Sequence, residues 1–267
     1  MTSAFHRPTD PPPGVGPLRH HRVAWNLHPV LTDILNTIGE TPLGQAFKDR
    51  AVEVSTLKVL GAPVDHAGAL LAFRYLLERA DGDGLPLTAA GYLKPADVQA
   101  LAAAMPTMRN WIHRIAREID AHPVLYFREY VKSIGLLRKY KGSLRLTRLG
   151  RAAANDPTVL WKHLADTLAP NEQSFHADAT VVVLVHMATT EGRIDVGAVA
   201  QTLTALGWLH RDGSPVSQGE VYEVWNELWD VLGNIGESEG SHRSDRMMSH
   251  AARVMVHEAL FTEVPSQ

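Results

Sequence analysis

The chain has 267 residues, no cysteine, 45% hydrophobic and 21% charged residues, and a formal net charge of −3. Those values exclude disulfides, thiolate metal sites and a cysteine nucleophile, and they describe a globular chain long enough to build its own core. No apolar run approaches the ~20 residues of a bilayer span, and the N-terminal residues show no signal-peptide segment, so a cytoplasmic protein without a membrane partner is expected.

Along the chain, residues 1–17 hold Pro8, Pro11, Pro12, Pro13 and Pro17 with two glycines, which predicts a disordered tail. Helical spacing follows over 27–38, 43–60 and 65–80, with Asp65 placed to cap the third run and the turn 81–84 closing it. A short extended piece (85–93) leads to a helix from Pro95 to Ala104. The pattern then predicts a helix over 107–120, a break at His122-Pro123, and a helix over 124–134. Gly135 to Gly150 reads as a two-stranded hairpin turned at Lys141-Gly142-Ser143. Helices are expected again at 150–154, 157–168, 177–190, 196–206, 217–232 and 245–260, with a loop at 233–241.

Charge is distributed unevenly. Between Thr107 and Arg151 eleven Lys/Arg face three acids, Glu118, Asp120 and Glu129, a local balance of +8 that leaves −11 for the rest of the chain. A basic island in an acidic protein concentrates a polyanion at one face. Helix, break, helix and basic hairpin, in that order, read as a winged helix-turn-helix, whose second helix enters a DNA groove. With Val124, Phe127, Val131 and Ile134 assigned to the core, Arg128 and Lys132 are expected on the outer face, beside Tyr126 and Ser133. Arg138, Lys139, Lys141 and Arg145 would hold phosphates.

The exit of the hairpin, Leu146-Thr147-x-x-Gly150, resembles that of MarR-like winged-helix families, with Thr147 capping the next helix. More widely, Leu87-Thr88-x-x-Gly91-Tyr92-Leu93, Gly135-Leu136, Lys141-Gly142, Gly150-Arg151 and Asp156-Pro157-x-x-Leu160-Trp161 resemble a domain of uncharacterised actinobacterial proteins. Some of these belong to a plasmid open-reading-frame or transposon-passenger family. Leu206-Gly207-Trp208 with Asp212-Gly213-x-Pro215 is similar to their C-terminal part. The resemblance implies no catalytic residues, and it implies a second, degenerate winged helix near the C-terminus.

The expected architecture is mainly α: a tail at 1–17, an N-terminal helical region at 18–84, a winged helix-turn-helix domain at 85–157 and a C-terminal helical, degenerate winged-helix-like domain at 158–267. Trp225 and Trp229, on the apolar face of the 217–232 helix, are candidate interface residues of a homodimer. The fourteen histidines show no metal-ligand spacing, and neither a phosphate-binding glycine loop nor a nucleophile elbow is present. The chain is therefore expected to be neither a metalloprotein nor an enzyme, and to need no cofactor. Double-stranded DNA is the expected partner; the alternative is a protein-interaction adaptor on the same fold.

Overall fold

A computed structural model describes residues 5–6, 19–20, 23–60, 62–112, 114–237 and 247–263. The chain is mainly helical. In order it forms β1 (Phe5–His6), β2 (Arg19–His20), β3 (Val23–Leu27), α1 (Pro29–Thr37) and α2 (Pro42–Leu60). Next come α3 (His66–Ala69), α4 (Leu71–Arg79), β4 (Leu85–Pro86), α5 (Pro95–Ala104) and α6 (His122–Ser133). The hairpin β5 (Leu137–Tyr140) and β6 (Ser143–Leu146) leads to α7 (Arg148–Asn155), α8 (Pro157–Leu168), α9 (Phe175–Thr189) and α10 (Val196–Ala205). The last elements are β7 (Leu209–His210), α11 (Gln218–Leu232), α12 (His250–Leu260) and β8 (Phe261–Glu263).

These elements divide into two compact units that interleave along the chain, where the sequence pattern suggested consecutive domains. The first comprises 1–63, 165–228 and 253–267, the second 64–164 and 229–252. Of the proline-rich segment 1–17 only Phe5–His6 are described; they pair antiparallel with β7. The end of the expected 233–241 loop, from residue 238 onward, lies outside the described residues, as do the first residues of the expected 245–260 helix.

The first unit is built around α9. Every residue from Ala177 to Ala188 is buried, as a helix apolar on all sides must be, and α1, α2 and α10 pack on it. Ser174 caps its start, accepting from the Ala177 N–H at 3.1 Å. Two titratable side chains are buried with it. Asp178 accepts from the Trp208 indole N–H at 2.8 Å, and His186 stacks on Phe47 with centroids 6.3 Å apart. Strands β3 and β8 pair antiparallel, Leu27 opposite Phe261.

In the second unit β4, β6 and β5 form an antiparallel sheet in that spatial order, and Phe73 of α4 meets Phe127 of α6 edge to face at 4.6 Å. The expected helix over 107–120 does not form. The described residues of 105–112 and 114–121 run irregularly, with short 3-10 turns at Pro106–Met108 and Glu118–Asp120. His122-Pro123, expected as a break, instead begins α6, because proline at a first turn gives up only an N–H that has no helical acceptor.

Burial pushes the pKa of His186 down from 6.5 to about 4, with the nearby Arg50 charge acting in the same direction and Asp195 against it. Above pH 6.5 the ring is neutral in both states. As pH falls from 6.5 toward 4 the unfolded chain takes up a proton that the folded chain refuses, so stability is lost across that window. The loss should approach about 3 kcal/mol. Chemical denaturation at stepped pH should show this decline, and His186→Leu should flatten it.

Candidate nucleic-acid interface

The basic window sorts by the second unit's own geometry into paired and unpaired cations. Arg109 meets Glu237 at 2.8 Å, and Arg117 grips Asp120 through two 2.9 Å bonds. Arg128 is the deepest. Its side chain is 4% exposed and that of Glu118 is 0% exposed. Arg128 Nε donates to Glu118 Oε1 at 2.5 Å, Nη2 to Oε2 at 3.2 Å and Nη1 to Glu129 at 2.6 Å. Glu118 Oε2 also accepts the Leu93 backbone N–H at 2.7 Å.

The expectation that Arg128 faces outward is therefore corrected. At 3.6 residues per turn, position 128 lies on the stripe that carries Val124, Phe127 and Val131, all fully buried. A cation there needs an internal acid, and Glu118 is that acid. Lys132 stays half-exposed but pairs with Glu129. Burial opposes ionisation of Glu129, yet the Lys132 hydrogen bond and the Arg128 and Lys132 charges outweigh it and hold the carboxyl below its usual range. What α6 offers to solvent is His122, Tyr126 (55% exposed) and Ser133, with Lys132 and Glu129 beside them.

The hairpin differs. From Tyr130 to Asn155 the sequence contains no acid. Among the described residues Arg138, Lys139, Lys141, Arg145, Arg148 and Arg151 have no carboxylate within ion-pair distance. Register separates the cations by face. Leu137 opposes Leu146 and Lys139 opposes the buried Leu144, while Arg138 opposes Arg145 and Tyr140 opposes Ser143. Successive residues of a strand point to opposite faces, so Arg138, Tyr140 and Arg145 share the side away from the core. Lys139 instead extends beside Gly91, its Nζ 3.1 Å from where a Cβ there would stand.

The turn is tight. Lys141 (φ 46°) and Gly142 (φ 76°) both take left-handed conformations, the pattern of a two-residue hairpin loop. Beyond the hairpin Thr147 caps α7 as expected. Its hydroxyl accepts the Gly150 N–H at 2.9 Å and donates to the Gly135 carbonyl at 2.7 Å. A Cβ at Gly150 would stand 2.0 Å from the Leu136 carbonyl oxygen, so the spacing Thr147-x-x-Gly150 records a cap and a close backbone approach.

Trp225 and Trp229, expected as interface residues, are 7% and 8% exposed in the single chain. Both side chains are thus covered within the single chain. Among the described residues no group of three His, Asp or Glu side chains is arranged to hold a metal, and no helix is long and apolar enough to cross a membrane.

Residues 65–159 match the model of the Y4jL N-terminal domain, an uncharacterised family of plasmid type. The matched residues fall inside 64–164, the longer segment of the second unit. No curated protein and no solved structure matches the chain.

Two outcomes are expected. Breaking a buried ion pair strands the surviving charge and typically costs about 3–5 kcal/mol, so Arg128→Ala should lower stability by that order in urea titrations, while Lys132→Ala leaves the midpoint nearly unchanged. A left-handed conformation costs a residue with a long side chain about 1–2 kcal/mol. Lys141→Asn should therefore stabilise the second unit by about 1 kcal/mol, read as a higher melting temperature.

Proposed function

We propose that the second unit is a winged helix that binds double-stranded DNA, with α6 as groove-facing helix and the β5–β6 hairpin as wing. The observation that carries this reading is the acid-free hairpin, whose cations are committed to no carboxylate among the described residues. Support also comes from the order α4, β4, α5, α6, β5, β6 with spatial strand order β4-β6-β5, and from the MarR-like exit Leu146-Thr147-x-x-Gly150. A regulator or nucleoid-type role follows from such binding.

The division of charge refines the reading. With Arg128 consumed by Glu118, α6 presents Tyr126, Ser133, His122 and Lys132. Most of the electrostatic attraction falls to Arg138, Lys139, Lys141 and Arg145, which suit phosphates better than base edges. Binding should accordingly be tolerant of sequence. A second reading, a protein-interaction adaptor on the same fold, draws on the internal pairing of Arg128 and Lys132 and would use the exposed face of α6.

Binding to a pool of mixed duplexes should weaken steeply with salt, log affinity falling by about 0.9 per phosphate for each tenfold rise. Lys139→Ala with Lys141→Ala should weaken all duplexes alike and reduce that slope by about one for each phosphate no longer neutralised. Absence of duplex binding at low salt would remove the DNA reading and leave the adaptor.

A further inference from the structure

We infer that Tyr140 is the positioning residue of a phosphate-binding face on the hairpin, gathering Arg138, Lys141 and Arg145 around its ring; the inference rests on the nucleic-acid reading above. The Arg138 guanidinium carbon lies 5.2 Å from the ring centroid, Lys141 Nζ 5.4 Å and the Arg145 guanidinium carbon 5.7 Å. All three fall inside the ~6 Å reach of a cation–π attraction. The ring is itself 41% exposed.

Three locally unfavourable features meet on this face. Arg138 and Arg145 are direct cross-strand partners, and like charges so placed repel. The Arg145 Nε is buried without an acceptor among the described residues, and an unmet buried donor destabilises the fold. Lys141 is the one residue other than glycine at positive φ among the described residues. Such features persist where the surroundings enforce them, and they gather at ligand sites.

The usual remedy for clustered cations is a carboxylate between them, but that would neutralise the charge and compete with any incoming anion. A neutral ring holds the same groups through its quadrupole and leaves their charge available. Adjacent phosphates of a nucleic-acid backbone are the ligand such an arrangement suits, since guanidinium groups bind phosphate through paired hydrogen bonds. Lys139, on the opposite face beside Gly91, stands outside the cluster.

Fluorescence anisotropy with the full chain tests this on a mixed-sequence duplex and on inorganic polyphosphate, each over a range of salt. Tyr140→Phe keeps the ring and should bind within about twofold of wild type. Tyr140→Leu should bind about fivefold more weakly, equivalent to about 1 kcal/mol. Its salt slope should be unchanged because no cation is removed, whereas Lys141→Ala should lower the slope by about one. The Leu variant should melt with the wild type; an early melt together with a reduced slope would mark a collapsed hairpin and overturn the positioning role. Wild-type affinity in Tyr140→Leu, or an equal loss in Tyr140→Phe, would overturn it too. If wild type binds polyphosphate but no duplex, the DNA reading fails and the same comparison on polyphosphate decides the role of Tyr140. Binding to neither ends both.

Discussion

Glu118 is buried, and its carboxylate is satisfied from two directions, by the Arg128 guanidinium and by the Leu93 backbone N–H. Burying two opposite charges is expensive unless geometry and further hydrogen bonds compensate. Here the compensation joins three stretches of chain: the turn that carries Leu93, the irregular connection that ends at Asp120, and the middle of α6. The orientation of α6 depends on this pair. So does its electrostatic character, because the strongest cation on the helix is turned inward and neutralised.

The consequence is a separation of labour inside one small unit. Acids accompany the cations as far as Glu129 and then stop until Asp156. On the helix, charge is neutralised locally by Glu118 and Glu129; on the hairpin no carboxylate among the described residues pairs with it. The two-residue turn permits this, since strand alternation puts Arg138, Tyr140 and Arg145 on one side while Leu144 and Leu146 complete the core. The close approach of Gly150 to Leu136 and the Thr147 cap then fix the hairpin to α7.

The first unit solves a different problem. A helix buried over twelve consecutive residues leaves no wet side for Asp178 or His186. Asp178 meets that constraint with the Trp208 indole. His186 meets it by staying neutral, stacked on the Phe47 ring, with burial and then the Arg50 charge disfavouring its protonation. The unit therefore tolerates a titratable group in its core without a counter-charge hydrogen-bonded to it.

Much was legible in the sequence. Helical spacing, the Asp65 cap, the hairpin with its Lys141-Gly142 turn and the Thr147-x-x-Gly150 exit are local features, set by residues within a few positions of one another, and local physics determines them. The stripe that buries Arg128 was also present in the spacing of Val124, Phe127 and Val131. What the sequence lacked was the partner, because Glu118 lies outside α6 and an arginine with no evident acid reads as exposed. The failed helix over 107–120 has a similar origin: the periodicity was adequate, but Glu118 and the Thr107–Asn234 hydrogen bond hold that segment to other parts of the unit. Likewise Trp225 and Trp229 form an apolar stripe by sequence, and only packing reveals that the stripe is already covered. The sequence by itself determined the helical content, the hairpin and its excess of charge. Tertiary structure decided which charges remain available, because burial and pairing depend on residues that meet only when the chain is folded.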